Sequence, residues 1–202
     1  MNVSVDLMGV VTIIICSGTI VSSLFSDKLN KILKPWLIII ISILLTAFAM
    51  FGFSIASEFW MLCLFAIPYG LGAGAIDSTL NNYVALHYSS KHMSWLHSFW
   101  GVGAIVSPYV MSYALMYHNS YQVGYRIISF TQLAIFLVIF LSAPIWKKVK
   151  TKNFDFQNEP EVKLLSFKEK FKIKGIFFIL IAFFAYCSFE ATLMSWSATY
   201  LF

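Results

Sequence analysis

Six long apolar runs, separated by short polar connections, decide what this chain can fold into. They are Leu7–Phe25, Trp36–Ala56, Phe59–Leu86, Met93–Tyr117, Tyr125–Ile145 and Ile173–Phe202. A helix needs about 20 apolar residues to cross the hydrocarbon core of a bilayer. In lipid, every backbone N–H and C=O must be satisfied within the segment, which a helix does. The expected architecture is therefore all-α: a polytopic transmembrane helix bundle of about six spans. The third and sixth runs are longer than a crossing requires and should tilt or protrude. Composition agrees. Charged residues make up 11% of the chain, against about 25% in soluble domains, and mean hydropathy is +0.79. So few charges cannot clothe a water-soluble surface of this size. The aromatic share of 18% suits lipid-facing helices with interfacial anchors.

The bases sit on alternate connections. Lys28, Lys31 and Lys34 fall in the first, Lys91 in the third, and nine more from Lys147 to Lys174 in or beside the fifth. Arg126, beside the fourth, is the one base on the other side. Lysine and arginine are retained on the cytoplasmic side. Loops 26–35, 87–92 and 146–172 are therefore expected to be cytoplasmic, within a multi-pass protein of the cell membrane. Both ends of the chain would then face outward. The N-terminus lacks the basic region of a cleavable signal peptide. The fifth connection admits two readings. Val162–Lys174 mixes leucines and phenylalanines with lysines, the pattern of an amphipathic helix on an anionic leaflet; it also fits a plain basic loop joining two bundles.

Ionisable groups inside a span are costly, so they are functional candidates. Asp77 and Glu190 are the two acids so placed. Gly70, Gly74, Asp77 and Asn81 recur at spacings of four, three and four, which puts them on one helical face. Gly70 and Gly74 form a small-xxx-small surface that lets a neighbouring helix approach. A carboxyl on such a face can load and release a proton, since loss of hydration disfavours its charged form. The competing reading is an interhelical hydrogen bond that only holds helices together. On the fourth run His97, Gly101 and Ala104 share one side, with Trp100 beside them. His97 suits either a proton relay in a cavity or an interfacial position, while Gly101, Gly103 and Pro108 should shape packing and a bend. On the sixth run Glu190, Ser197 and Tyr200 are polar, and Trp196 offers a stacking platform. Carboxylate, amide and aromatic faces suit sugars, among other solutes.

Other classes lack their parts. GlyLeuGlyAlaGly at 70–74 lies inside an apolar helix without the preceding strand a phosphate loop needs. Neither H-E-x-x-H nor G-x-S-x-G occurs, so no enzyme is expected. Cys16, Cys63 and Cys187 have neither zinc nor disulfide spacing and read as small apolar residues. No cofactor, metal or nucleic acid is expected; the partners are the lipid bilayer, a small-molecule solute and protons.

These residues resemble the major facilitator superfamily, and within it the fucose–proton symporter-like branch. Residues 18–31 are similar to the signature between the family's second and third helices, with Gly18, Asp27, Lys28 and Lys31 matching and Asn30 interrupting the basic cluster. The run with Asp77 and Asn81 looks like the family's fourth helix. SerTrpLeuHisSerPheTrpGlyValGlyAla looks like its fifth, with His97 and Trp100 in place of polar residues common in sugar carriers. TyrCysSerPheGlu with TrpSerAlaThrTyr looks like its seventh. The resemblance implies a partial major-facilitator fold holding family helices two to seven: five helices of the N-terminal half in 1–146, a cytoplasmic basic linker at 147–172, and the first helix of the C-terminal half at 173–202. It implies a secondary active transporter fragment for a small organic solute, with a sugar favoured, coupled to protons by alternating access. Asp77, Asn81, His97, Trp100 and Glu190 would bind solute or proton, and Gly18, Asp27, Lys28, Gly70 and Gly74 would serve gating and packing. The alternative is a non-transporting six-helix scaffold or assembly subunit, which would self-associate to close its polar face.

Overall fold

A computed structural model describes residues 5–146 and 171–201. Among them are six helices: α1 (Val5–Ile32), α2 (Pro35–Ile55), α3 (Phe59–His87), α4 (Ser90–His118), α5 (Tyr121–Trp146) and α6 (Ile176–Leu201). All six are long and apolar enough to cross a membrane. Several exceed the apolar runs that mark them. A hydropathy criterion sees the hydrocarbon-embedded part, whereas the helix continues into the polar interface, as α1 does through Lys28 to Ile32. The connections are short for local reasons. Pro35 occupies the first turn of α2, and Lys34 before it is extended at φ −68°, ψ 142°, as the residue preceding a proline prefers. Helix α4 ends at Asn119, a left-handed cap at φ 48°, where asparagine is tolerated in place of glycine.

The chain divides into two compact units, Met1–Lys152 and Asn153–Phe202. In the first, α2 is the centre: 61% of its span is buried, against 28% for α3 and 6% for each of α1, α4 and α5. It packs on α3 and on α5; α3 also packs on α1, and α5 on α4. Contact between α3 and α4 is slight. The order across the unit is thus α1, α3, α2, α5, α4.

Small residues and hydroxyls make these contacts. Lipid tails are as apolar as leucine, so helices in a bilayer associate through close backbone approach and polar bonds. Gly70 and Gly74 stand against the α1 backbone at Ile15 and Thr19, and Gly18 stands against Gly70 and Leu71 in return. Thr19 Oγ1 donates to the Gly70 carbonyl at 3.2 Å, and Ser23 Oγ to that of Gly74 at 3.4 Å. Gly72 abuts Thr46 and the Ser42 carbonyl of α2. Buried Ser129 of α5 donates to the Ala47 carbonyl at 2.9 Å, and Tyr121 to that of Ala56 at 3.2 Å. Phe53, Tyr69 and Tyr125 cluster nearby, with ring centroids 5.5 and 6.1 Å from Phe53. Gly124 receives Met111 and Ala114 of α4. Apolar side chains such as Ile13, Phe48, Val138 and Leu141 point outward, as they must on a surface solvated by lipid.

The second unit, as described, is α6, whose span has none of its residues buried. Most of the expected amphipathic segment Val162–Lys174 and of the 147–172 linker lies outside the described residues; its end, 171–174, forms turns rather than helix.

Candidate functional site

A cavity of about 560 Å³ opens among α1, α2, α3, α4 and α5. Helix α3 supplies its polar wall. Asp77 and Asn81 are one turn apart on the same face, and Asn81 Nδ2 donates to Asp77 Oδ1 at 3.1 Å. Asn81 Oδ1 is buried without a protein partner. Asp77 itself is exposed on the cavity wall, and contact between α3 and α4 is slight. His97 and Trp100 line the cavity from α4. Both are exposed, Trp100 by 58%, so its ring face is available for stacking.

The structure thus gathers Asp77, Asn81, His97 and Trp100 about one space. It also adds residues that sequence reasoning did not single out. Gln132 of α5 lines the cavity with a buried Oε1 that has no protein partner, and Thr19, Thr46 and Tyr69 join it. A readable signal existed for Gln132, the one amide within the apolar run of α5. The threonines carried none, since hydroxyls are common in spans and bond their own backbone.

The remaining candidates fall elsewhere. Gly18, Gly70 and Gly74 form the α1–α3 contact, two helical faces pressed together rather than a cavity wall. Lys28 Nζ lies 5.4 Å from the Phe25 ring centroid, a cation–π contact. The side chain of Asp27 lies outside the described residues, as do those of Trp196, Ser197 and Tyr200. Glu190 belongs to the second unit, where it is half-buried and accepts a hydrogen bond from Tyr186 one turn earlier. Gly101 and Gly103 were expected to shape packing; a Cβ at either would meet nothing within 4 Å. No group of three histidine, cysteine or acidic side chains could hold a metal ion among the described residues.

The arrangement suits a small polar guest with an apolar face. A carboxylate accepts hydroxyl protons, amides both donate and accept, and an indole covers a flat apolar surface. The Major Facilitator Superfamily model matches residues 1–202 of the chain. The chain belongs to the major facilitator superfamily. Members are non-enzymatic membrane carriers, consistent with six apolar helices and a polar cavity among the first five. Similar proteins include Sodium-dependent glucose transporter 1 of Danio rerio, 29% identical over 52% of this chain and 18% of its own length. Another is Bypass of stop codon protein 6 of Saccharomyces cerevisiae, 26% identical over 98% of this chain and 43% of its own length. The chain therefore spans less than half the length of these relatives. No solved structure matches.

Proposed function

We propose that this chain is part of a secondary active carrier that moves a small organic solute of the sugar class by proton-coupled alternating access. The observation that carries the reading is the Asp77–Asn81 pair, set in one cavity wall and shared with Trp100, His97 and Gln132. A membrane protein has no structural need for a carboxylate exposed to an internal cavity, because its desolvation is costly. Asp77 exchanges the proton, and Asn81, bonded to it, changes partners as that proton comes and goes. His97 and Trp100 line the solute path, and Glu190 is a further solute- or proton-binding group, carried on the second unit. The printed name of the zebrafish relative supports a sugar as solute; it also makes sodium the ion against which the proton must be tested.

In the same reading the protein belongs to the fucose–proton symporter-like branch. Residues 1–146 are family helices two to six, 147–172 the linker and 173–202 the seventh helix, with the family's other helices outside this chain. Loops 26–35, 87–92 and 146–172 are cytoplasmic, and Gly18, Asp27, Lys28, Gly70 and Gly74 pack and gate the inner rim.

The test is accumulation of radiolabelled hexoses by vesicles from the native membrane under an imposed proton gradient. Accumulation should collapse when the gradient is dissipated, and in Asp77→Asn. Undiminished accumulation in that variant, or uptake that follows sodium and ignores pH, refutes proton coupling at Asp77.

A second reading has its own observation. Gly101 and Gly103 on α4 face open space, as they would in a scaffold or assembly subunit whose partner helix seats there. Absence of uptake for every hexose, together with a disulfide-linked dimer of Gly101→Cys, would favour it.

A further inference from the structure

At the end of the bundle that carries the lysine-bearing connections, a second cavity of about 450 Å³ is lined by Lys34, Pro35, Trp36, Tyr83, His87 and Trp146. No carboxylate lines it among the described residues. Two donors and an imidazole meet there. Lys34 is exposed and reaches it from the α1–α2 connection. The indole Nε1 of Trp36 is buried and has no hydrogen-bond partner, an uncommon condition for a buried donor. His87 Nδ1 lies 2.9 Å from the Tyr83 carbonyl. A carbonyl only accepts, so Nδ1 carries the proton and Nε2 is left as an acceptor for a headgroup hydroxyl. The cavity floor is aromatic: Tyr83 stacks on His87 at 4.2 Å and contacts Trp146 at 4.8 Å, centroid to centroid.

The cavity does not end at this floor. Tyr83 and Trp146 also border an apolar groove of about 340 Å³ with Leu80, Val84, Tyr88 and Ile145. Leu80 and Trp146 border a further apolar cleft of about 250 Å³ that runs between α2, α3 and α5 past Ile39, Ile43 and Ile139. A cationic, donor-rich pocket thus leads over an aromatic collar into apolar slots at bilayer depth. That is the shape and polarity of an anionic amphiphile. The bilayer around the protein supplies one.

We propose that this end of the bundle holds one anionic phospholipid, its phosphate on Lys34 and the Trp36 indole, a headgroup hydroxyl on His87, and an acyl chain in the cleft between α2, α3 and α5. The other basic groups described at this end are differently engaged. Lys28 lies over Phe25, and Lys91 lies 5.4 Å over the Trp95 ring; neither lines the cavity. The site also touches the solute cavity. Thr46, Ile76, Leu80 and Gln132 line both the acyl cleft and the space at Asp77, so the bound lipid walls the solute cavity on its inner flank. The assignment stands without the solute reading, because the groups that hold the headgroup, Lys34, Trp36 and His87, are not among those proposed to bind solute or proton.

The experiment is native mass spectrometry of the purified 202-residue protein, released from micelles doped with phosphatidylglycerol or with phosphatidylcholine. One phosphatidylglycerol is expected to remain bound, in preference to phosphatidylcholine. Lys34→Gln should weaken retention about fivefold, the worth of one basic group near a phosphate. Trp36→Phe, which keeps the ring and removes the donor, should weaken it severalfold. Lys34→Arg should retain the lipid, which shows that the fold survives change at this position. Lys91→Gln, a base at the same end outside the cavity, should leave retention unchanged. Equal loss in Lys91→Gln and Lys34→Gln would mean diffuse attraction and overturn the proposal. So would binding of glycerol 3-phosphate with the same affinity as the phospholipid, since the acyl cleft would then contribute nothing.

Discussion

A methyl group added to α3 at Gly70 should have a different sign of effect from one added to α4 at Gly101. At Gly70 the new Cβ would collide with the Ile15 carbonyl of α1, which is backbone and cannot rotate away. The two helices must separate. Overpacking of this kind costs about 1–3 kcal/mol. Separation also lengthens the 3.2 Å bond from Thr19 to the Gly70 carbonyl, and interhelical bonds in bilayers average about 0.6 kcal/mol. Against this, alanine gains about 0.5–1 kcal/mol over glycine within a helix. The net for Gly70→Ala is a loss of about 1–3 kcal/mol. At Gly101 nothing lies within 4 Å of the new methyl, so only the helical gain remains.

Unfolding by sodium dodecyl sulfate in mixed micelles, followed by far-ultraviolet circular dichroism, measures both in the same detergent. Gly70→Ala should unfold at a lower detergent fraction than the parent, and Gly101→Ala at an equal or higher one. A loss in Gly101→Ala matching that in Gly70→Ala would refute the argument, since it would require a neighbour at α4 that the described residues do not supply.

Three further outcomes follow from the same geometry. Ser129→Ala removes the buried bond to the Ala47 carbonyl at 2.9 Å and should cost roughly 0.6–1.7 kcal/mol in that titration, since it ties α5 to the central helix. Trp100→Ala should leave stability within about 0.5 kcal/mol, as exposed positions do, yet lose hexose uptake by native-membrane vesicles; a matching loss of stability would make Trp100 a packing residue instead. With Cys16, Cys63 and Cys187 replaced by serine, Ser57→Cys should react with a membrane-impermeant maleimide in right-side-out vesicles and Ser89→Cys should not, the reverse pattern overturning the charge-based orientation.

Spans were legible because their physics is compositional. A run of about 20 apolar residues is both necessary and close to sufficient for a crossing helix. The partners of those helices were legible only in part. Gly70 and Gly74 announced a close contact through their spacing, but nothing in the sequence named α1 as the helix that meets them. The centrality of α2 was not legible at all. Its run PWLIIIISILLTAFAM is apolar on every side, and in a membrane protein that pattern fits a lipid-facing helix as well as a core one. What distinguishes it is the set of small groups it offers, Ser42, Thr46, Ala47 and Gly52, each of which receives a neighbour. The polar site divided in the same way. Asp77 and Asn81 were visible because charge in a span is rare, whereas Gln132 comes beside them only once α5 packs on α2.

The location of that site within the unit bears on how it could work. Helices α1, α3, α2 and α5 form a slab joined by glycine contacts and buried hydroxyl bonds. Helix α4 is joined to this slab mainly through Met111 and Ala114 against Gly124 of α5, toward its C-terminal end. Its contact with α3 is slight, and His97 and Trp100 on its N-terminal half line the cavity. The cavity therefore lies on the seam between a tightly packed element and a loosely held one. Regions of low contact density are those that move at least cost. A change in the charge of Asp77 acts on the rigid side of the seam, and a guest stacked on Trp100 acts on the mobile side. Occupying the cavity would draw α4 toward α3, and emptying it would release α4 again. In the proposed carrier the proton and the solute would then influence each other without direct contact, because both would bear on the distance between the same two helices.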